Sequence, residues 1–336
     1  MLQKEEAVYM IYKQVEKIKE PISAIGIGCW NFGGDWDCSD DSNTEKIVLS
    51  AIDQGINFFD IAPVYGFSHS ETVLGSILKK HGLRNKVMIA SKCGLRWGED
   101  CVTRNDLSKA SILWEIDQSL TRLQTDHIDI YQLHWPDHNT PIEETVEVLK
   151  QLQVAGKIRY VGLSNFSQKD AEHFESLMEI HSQQSLYNML ERNTDSYHHI
   201  PLEYKTEKEV LPHVKAHGQA FMPYSPMFQG LLSGKFKKDL NFSDRDIRNQ
   251  NPKFSLPLFE RYYKAACSLN DLAKKIGHPL NEISLNWLRQ KPEVTSIIAG
   301  AGTPEELTEN LHCLTWDLTE EMFAEIETII APFENI

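Results

Sequence analysis

The sequence predicts a parallel (β/α)8 barrel, the TIM-barrel fold. Short runs rich in β-branched and aromatic residues alternate with longer amphipathic runs along the 336 residues. The composition, 41% hydrophobic and 24% charged, is that of an ordinary globular protein and does not shift along the chain. Eight such repeats without an internal break predict eight parallel strands closed into one barrel, a single domain over residues 1–336.

The strands and helices are predicted from these runs. The strands cover residues 23–28, 57–59, 87–91, 128–133, 160–163, 182–186, 220–223 and 294–299. The helices cover residues 44–55, 71–81, 108–123, 142–155, 167–181, 207–217, 258–276, 281–290 and 304–312. A long irregular insert, residues 226–257, follows strand seven, and a C-terminal helix covers residues 320–330, with Thr319 as its N-cap. In the first helix, Ser42 and Glu45 have the spacing of a capping box.

An open, doubly wound sheet is the alternative architecture. Such a sheet binds phosphates with a glycine-rich loop between a strand and a helix. The nearest match is GIG at residues 26–28, which has no third glycine at the required spacing and no helix directly after it. The barrel is therefore the better interpretation.

The charge balance excludes several classes of partner. The net charge is −14, from 34 basic and 48 acidic residues. A strongly acidic protein repels phosphate backbones and anionic lipids, so we expect no nucleic acid or membrane partner. The sequence contains no membrane-length apolar run and no CxxC pair among its six cysteines, and residues 1–14 lack the apolar core and cleavage site typical of a signal peptide. We expect a soluble cytoplasmic protein with reduced thiols.

Polar residues follow six consecutive predicted strands, two through seven. In strand order they are Asp60 and Tyr65, Lys92, His134, Ser164 and Asn165, Gln184, and Tyr224 and Ser225. One buried polar residue is more often structural than functional. The carboxyl ends of barrel strands, however, all meet at one face, where barrel enzymes build their active sites. The joint pattern therefore predicts an active site.

Four of these residues have complementary chemistry. A tyrosine of ordinary pKa, about 10, is a poor proton donor near neutral pH. An ammonium beside it stabilises the phenolate and lowers that pKa, and a carboxylate keeps the ammonium charged. Asp60, Tyr65 and Lys92 fit these roles, and His134 can hydrogen-bond a substrate oxygen or relay a proton. Together they suit the protonation of a carbonyl oxygen, but they supply no electrons, so a reduction needs a cofactor.

The sequence resembles the aldo-keto reductases from about Tyr12 to its C-terminus. The matching blocks, in order, are DIAPVYG, SKCG, LHWPD, GLSNF, QSLYN, YSPMFQGLLSGK and GAGTPEELTEN. The resemblance implies a (β/α)8 barrel that binds NADP(H) in extended form and moves a hydride between the nicotinamide and a carbonyl. It also implies a catalytic tetrad of Asp60, Tyr65, Lys92 and His134, with Tyr65 as the general acid.

The resemblance also implies a cofactor site. Ser164, Asn165 and Gln184 would hold the nicotinamide carboxamide, and Tyr224 would stack on the ring. Ser225, Leu231 and Ser233 would border the pyrophosphate. The loop from residue 300 to residue 310 would hold the adenosine end, through Gly300, Gly302, Thr303, Glu306 and Asn310.

That loop departs from the family pattern. The family commonly places a basic residue at the position of Gly302, where it grips the 2′-phosphate, and Glu305 and Glu306 have the wrong sign for that task. Lys235 and Arg248 in the insert are candidate replacements. We therefore expect only a slight preference for NADP(H) over NAD(H). The segment VEKIKEPISAIG also lacks the glycine turn usual in the family's N-terminal hairpin.

Three tryptophans follow predicted strands at the same face as the tetrad. Trp30, Trp97 and Trp135 are candidates for the wall of a substrate pocket, with ordinary packing as the alternative. The expected substrate is a small carbonyl compound, sugar or polyol. His134 and His138 have the spacing of a helical metal pair, but Pro136 lies between them in a loop, so we expect no metal there.

Two other functions remain open at this point. One is a barrel aldolase that forms a Schiff base on Lys92, which would require a neutral lysine despite the predicted Asp60 neighbour. The other is a slow nicotinamide-binding protein that senses redox state. The sequence does not indicate the oligomeric state, the physiological substrate or the direction of the reaction.

Overall fold

Eight parallel strands form the central sheet of the protein. A computed structural model describes residues 8–34, 40–238, 242–244 and 246–334. The strands are β1 (Ile25–Gly28), β2 (Phe58–Asp60), β3 (Met88–Cys93), β4 (Ile128–Leu133), β5 (Ile158–Ser164), β6 (Ser182–Leu186), β7 (Ala220–Tyr224) and β8 (Ile297–Ala299). Strands β1 to β7 pair in chain order and β8 pairs with β1. A parallel bridge from Phe221 to Val294 nearly closes the ring, so the predicted barrel is confirmed.

Helices lie between the strands and cover the outside of the barrel. They are α1 (Asp41–Asp53), α2 (His69–His81), α3 (Lys109–Leu123), α4 (Ile142–Val154), α5 (Gln168–Leu177), α6 (Leu211–Ala216), α7 (Leu258–Ile276), α8 (Leu280–Arg289), α9 (Pro304–Leu311) and α10 (Glu320–Ile330). Their apolar faces pack against the outer faces of the strands in one large hydrophobic cluster. Burial of these faces is the main force that holds the helices on the sheet.

A second apolar cluster fills the barrel. Its strand residues include Phe58, Met88, Ile130 and Met222, which point inward. An antiparallel hairpin, Tyr12–Val15 with Ile18–Ser23, adds two fully buried isoleucines to this cluster. The hairpin turns at residues 16 and 17, so it forms without the glycine turn expected from the family pattern. The hairpin closes the floor of the barrel and leaves the opposite face for the polar residues.

Helix α1 begins earlier than predicted. Asp40 is its N-cap, and the Asp40 side chain accepts a hydrogen bond from the backbone amide of Ser42. Glu45 does not complete a capping box, because its carboxylate binds Lys80 and His81 at 2.7 Å each. The predicted capping box was therefore wrong. An aspartate is a strong N-cap, and cations in the last turn of α2 compete for the glutamate.

Several predicted boundaries differ from the structure by a few residues. Ser23 belongs to the floor hairpin rather than to β1, and α5 ends at Leu177. The predicted helix over residues 207–217 consists of a π-helical turn, Thr206–Val210, followed by α6. The described residues of the insert after β7 form three short 3-10 segments, Phe228–Ser233, Ile247–Gln250 and Pro252–Phe254. Such irregular segments carry no periodic signal in the sequence.

The cysteines of the described residues are free thiols. Cys38 lies outside the described residues, as do Asp35 and Asp37 of the first loop. Over the described ranges, we find no helix with the length and apolar character needed to cross a membrane.

Candidate active site

Lys92 lies at the centre of a buried polar cluster. It is on β3, beside Asp60 at the end of β2, and its side chain is fully buried. The Nζ atom lies 2.8 Å from Asp60 Oδ1, 3.0 Å from the carbonyl oxygen of Ile61 and 3.2 Å from the hydroxyl of Tyr65. Three oxygen acceptors match the three N–H groups of an ammonium. This geometry favours a charged lysine and disfavours a Schiff-base nucleophile.

Tyr65 is held over this lysine by the loop after β2. The loop turns tightly at Gly66, which has a φ of 58°, and its backbone packs directly on Gly33. A Cβ atom on Gly66 would lie 1.9 Å from the carbonyl oxygen of Gly33, so only glycine fits. The Trp30 ring stacks on the Tyr65 ring, with 5.8 Å between centroids and 20° between planes. The Tyr65 side chain is therefore held in place by the packing of its loop on Gly33 and by the stacked Trp30 ring.

Burial sets the pKa values of this pair. Burial raises the pKa of Tyr65 well above its ordinary value, and the negative charge of Asp60 adds to the effect. Burial lowers the pKa of Lys92, and Asp60 opposes that shift. The net shift of the Tyr65 pKa in the resting site is therefore upward, and the predicted lowering of that pKa by Lys92 stays a prediction. Tyr65 keeps its proton at neutral pH, with the ammonium 3.2 Å from the oxygen that would lose it.

His134 completes the four predicted catalytic residues. It follows β4, and its backbone amide donates to the carbonyl oxygen of Cys93 at 2.9 Å. Its ring meets the Tyr65 ring edge-on, with centroids 6.0 Å apart. Burial holds the pKa of His134 well below its ordinary value, and the nearby Lys92 charge lowers it further. The imidazole is therefore neutral at physiological pH and can donate one hydrogen bond.

Gln184 joins the cluster from β6. Its Nε2 atom donates to Asp60 Oδ1 at 2.7 Å and to Gln132 Oε1 at 3.3 Å. The predicted cofactor role of Gln184 stays a prediction, since the structure places its amide nitrogen on Asp60. Sequence reasoning missed Gln132. The signal was present, because Ile130, Gln132 and His134 alternate along β4 and so share the inner face.

Asn165 is the hub of a second polar network. Its backbone has a φ of 66°, a conformation that asparagine tolerates. The Nδ2 atom donates to the carbonyl oxygen of His134 at 3.1 Å and to Ser164 Oγ at 3.0 Å. The Oδ1 atom accepts from the hydroxyls of Tyr204 at 2.8 Å and Tyr224 at 2.9 Å. Asn165 thus couples His134 to Tyr224. Sequence reasoning missed Tyr204.

The segment after β7 is anchored below the surface. The carbonyl oxygen of Ser225 accepts from Asn188 Nδ2 at 3.0 Å, and Ser225 has a φ of 53°. Further along the insert, the buried Lys253 binds Glu191 at 2.5 Å, and both side chains are at most 5% exposed. This buried ion pair fixes the far end of the insert to the loop after β6. Sequence reasoning did not identify Lys253, Glu191 or Asn188.

A cationic cleft of about 260 Å³ lies along the insert. Its lining residues are Gly230, Ser233, Lys235, Phe236, Lys237, Phe242 and Arg248. The structure thus brings together three of the predicted cofactor residues and adds Lys237. Leu231, by contrast, is 2% exposed and packs into the core beside the cleft. Three cations around one cleft match the charge of a dinucleotide's phosphates.

Two of these cations are already paired with carboxylates. Lys235 Nζ lies 2.5 Å from Glu309 of α9. The Arg248 guanidinium binds Asp246 through two nitrogens, at 2.8 and 2.5 Å, and covers the Phe242 ring at 4.2 Å. A 2′-phosphate would have to compete with these carboxylates for either cation.

The loop before α9 carries negative charge at the position of Gly302. Thr303 is the N-cap of α9 and accepts from the backbone amide of Glu306 at 3.1 Å. The Glu306 carboxylate in turn accepts from the backbone amide of Gly302 at 2.8 Å. Asn310 Nδ2 donates to the carbonyl oxygen of Gly300 at 3.3 Å, which ties the loop to its helix. The loop is therefore rigid and acidic.

Comparison with known proteins decides the family. The model of the aldo/keto reductase family matches residues 24–331. The chain belongs to the aldo/keto reductase family. It is 36% identical over 323 residues to the aldo-keto reductase YhdN of Bacillus subtilis, covering 96% of this chain and 94% of that protein. It is 31% identical over 318 residues to the NADH-specific methylglyoxal reductase of Escherichia coli, covering 89% and 92%.

Solved structures agree with this assignment. The glycerol dehydrogenase of Gluconobacter oxydans has a TM-score of 0.83 and 33% identity, covering 98% of this chain and 97% of that chain. The holo form of an aldo-keto reductase from Bacillus halodurans has a TM-score of 0.78 and 26% identity, covering 96% and 97%. Aldo-keto reductases are oxidoreductases that use nicotinamide cofactors, and small carbonyl compounds are substrates of the family.

The three tryptophans have different surroundings in this aldo-keto reductase. Trp30 stacks on Tyr65, as described above. Trp97 packs edge-on against Phe67, with centroids 5.6 Å apart, and both residues flank the mouth of the barrel. Trp135 is partly buried against the main hydrophobic cluster. Contact with a substrate stays a prediction for all three, and Trp30 has the position that best supports it.

Proposed function

We propose that this aldo-keto reductase reduces the carbonyl group of small aldehydes, ketones or sugar-like compounds, with Tyr65 as the general acid. In the reverse direction the same site would oxidise an alcohol, with Tyr65 as the base. The observation that carries the proposal is the position of Lys92 Nζ, 2.8 Å from Asp60 and 3.2 Å from the Tyr65 hydroxyl. Tyr65, the proposed proton donor, thus contacts Lys92, which would stabilise its phenolate, and Lys92 contacts its counter-ion Asp60.

Each residue has a defined task in this scheme. A bound nicotinamide supplies the hydride. As negative charge develops on the substrate oxygen, Tyr65 donates its proton, and Lys92 stabilises the resulting phenolate. Asp60 keeps Lys92 charged in its buried position. His134, neutral because of its lowered pKa, donates a hydrogen bond that orients the substrate oxygen.

The surroundings of Tyr65 support a small, oxygen-rich substrate. Trp30 covers one face of the phenol and His134 meets its edge, which leaves little room for a bulky group. Two related proteins are named for methylglyoxal and for glycerol, both of which are three-carbon compounds. We propose a short carbonyl compound or polyol of this size for the present enzyme.

We propose that the enzyme accepts both nicotinamide cofactors, with at most a slight preference for NADP(H). Lys235, Lys237 and Arg248 line a cleft suited to phosphates. The carboxylates of Glu309 and Asp246, however, already neutralise two of these cations. Gly302 adds no charge, and the Glu306 carboxylate accepts a hydrogen bond from the backbone amide of Gly302. The 2′-phosphate therefore gains less here than it would from an unpaired arginine.

The Tyr65→Phe variant tests the catalytic assignment. It removes the transferable proton and keeps the ring that packs on Trp30. Loss of a general acid lowers turnover by about 10²–10⁴-fold. We expect a loss of this size in methylglyoxal reduction, measured by NAD(P)H absorbance, while the cofactor dissociation constant from tryptophan quenching stays within about twofold.

Tyr160→Phe is the matched control. Its hydroxyl also makes hydrogen bonds, to Glu20 and to the backbone amide of Lys19, but at the floor of the barrel. Turnover should be unchanged in this variant. If Tyr65→Phe retained wild-type turnover, Tyr65 would not be the general acid.

A further inference from the structure

A second cluster of titratable side chains lies away from the tetrad. Glu175 is on α5, His213 is on α6, and His217 is the C-cap residue of α6. One donor atom from each side chain lies within 4.8 Å of the others. Helix α6 ends where the chain turns into β7, at the amino ends of the strands. The cluster is therefore at the floor of the barrel, opposite the active site.

The two histidines point the same nitrogen at one carboxylate. Their spacing of four residues places both rings on one side of a helical turn, where they stack with centroids 4.1 Å apart. His213 Nε2 lies 2.8 Å from Glu175 Oε1, and His217 Nε2 lies 3.4 Å from Glu175 Oε2. Two histidines of this spacing on a helix with a nearby carboxylate form a recurrent zinc-binding arrangement.

Hydrogen bonds to the backbone and to Gln219 orient the donor atoms. His217 Nδ1 lies 2.8 Å from the carbonyl oxygen of His213, so this nitrogen carries the proton. In the neutral ring the lone pair is then on Nε2, which faces Glu175. Gln219 Nε2 donates to Glu175 Oε1 at 2.5 Å and fixes the carboxylate. Such outer contacts fix the tautomer and direction of metal ligands.

The packing of the two rings also suits a bound metal ion. Two imidazolium rings stacked at 4.1 Å would repel each other, and one carboxylate can neutralise only one of them. A metal ion facing both Nε2 atoms removes this repulsion, because metal-bound imidazoles are neutral rings.

We propose that Glu175, His213 and His217 bind a Zn²⁺ ion that links α5 to α6. Two imidazole nitrogens and a carboxylate form a donor set that zinc favours, and a fourth position would take water. His213 and Glu175 are 3% and 12% exposed, whereas His217 is 41% exposed and offers the entry path.

Zinc binding requires only a small adjustment of the side chains. Ligands at about 2.1 Å from zinc lie roughly 3.4 Å from one another in tetrahedral geometry. The donor atoms, all within 4.8 Å, are near this spacing. The exposed His217 ring can rotate to complete it. Because the site is at the floor, the ion would act on stability and leave the tetrad unchanged.

Zinc titration of the full chain tests the proposal. The protein is prepared without a histidine tag, stripped with a chelator and titrated with Zn²⁺ by calorimetry. Co²⁺, which reports its coordination geometry by visible absorption, serves as a second probe. We expect one ion per chain, a tetrahedral Co²⁺ spectrum and a higher melting temperature with zinc. Absence of binding would overturn the proposal.

The His217→Ala variant locates the site. It removes the exposed ligand, and we expect the zinc dissociation constant to rise by at least about tenfold. His173→Ala is the matched control, since His173 is an exposed histidine of α5 that pairs with Glu143 at 3.0 Å. The control should bind zinc as the wild type does. Equal zinc affinity in the wild type and the His217→Ala variant would overturn the proposal.

Glu175→Gln keeps the shape of the third ligand and removes its charge, and it should also weaken zinc binding. Zinc binding that is insensitive to the loss of the Glu175 charge would exclude this donor set.

Discussion

Two lysine–carboxylate pairs in this protein have similar nitrogen–oxygen distances but differ in their burial and in the elements that hold them. Lys92 and Asp60 are 2.8 Å apart, with side chains 0% and 3% exposed. Lys235 and Glu309 are 2.5 Å apart, with side chains 63% and 47% exposed. Water screens the second pair and is excluded from the first. Distance alone therefore does not indicate what a pair does, and burial decides its energetic role.

The two pairs also differ in what holds them. Asp60 and Lys92 are on adjacent parallel strands, whose register is fixed by backbone hydrogen bonds. Lys235 is in an irregular insert and Glu309 is on a short helix. We infer that paired strands of the barrel hold the cluster around Lys92, whereas the proposed cofactor cleft depends on loops in which a phosphate can replace a carboxylate as the partner of a cation.

The largest effect is expected for Lys92→Met. The change removes the cation and leaves Asp60 buried, with Gln184 as a remaining hydrogen-bond donor. Breaking a buried pair in this way lowers the free energy of unfolding by about 3–5 kcal/mol. Turnover should be lost as well, since the Tyr65 phenolate has no counter-charge. Urea unfolding and a turnover assay measure the two effects.

Lys235→Met provides the comparison. An exposed pair contributes roughly 0–1 kcal/mol, so this variant should unfold near the wild-type midpoint. If both variants were equally stable, burial would not be the feature that separates the two pairs.

The buried polar cluster around Lys92 could be predicted from the sequence, because the ends of the strands can be recognised there. Asp60, Lys92 and His134 each follow an apolar run of strand length, and the barrel brings such ends to one face. The structure places all three around Tyr65. The same rule would have found Gln132, had the alternation along β4 been followed two residues back from His134.

Contacts between distant loops could not be predicted. The bond from Tyr204 to Asn165 and the pairing of Lys235 with Glu309 join residues with no periodic relation in the sequence. The upward shift of the Tyr65 pKa could not be predicted either, because it depends on how much water reaches the hydroxyl. The spacing of residues in the sequence identifies the titratable groups, whereas the packing around these groups determines their pKa values.

Glu115 can be compared with Asp60, because it is also a buried carboxylate but its hydrogen-bond donors are neutral. It lies on α3 and accepts from the backbone amide of Gly94 and from Ser111 Oγ. Burial raises its pKa to about 7, against an ordinary value near 4.5. The folded state therefore binds the proton more tightly than the unfolded state, and stability declines as the pH rises from about 4.5 to 7.

Glu115→Gln should remove this decline. We expect the variant to gain about 2–3 kcal/mol relative to the wild type between pH 4.5 and pH 8, measured by urea unfolding at both values. Glu147→Gln, at an exposed carboxylate paired with Lys109, is the control and should follow the wild-type profile. Parallel pH profiles for the wild type and the Glu115→Gln variant would mean that Glu115 stays ionised in the folded protein.

The smallest effect is expected in the cationic cleft along the insert, for Glu309→Gln. The change releases Lys235 from its partner and makes its ammonium available to a 2′-phosphate. The NADPH dissociation constant should fall by about 2–10-fold relative to that of NADH, a charge-assisted gain that shrinks as salt rises. Tryptophan quenching with both cofactors at low and high salt measures the ratio.

The Glu305→Gln variant separates the effect of the Lys235–Glu309 contact from the effect of the protein's overall charge. It changes the net charge by the same amount at an exposed position of α9. If the cleft discriminates through Lys235 itself, only Glu309→Gln alters the NADPH to NADH ratio. If both variants shift the ratio equally, long-range charge governs the cofactor preference. No shift in either would mean that the 2′-phosphate does not reach Lys235, and Arg248 or Lys237 would then be the cation to test.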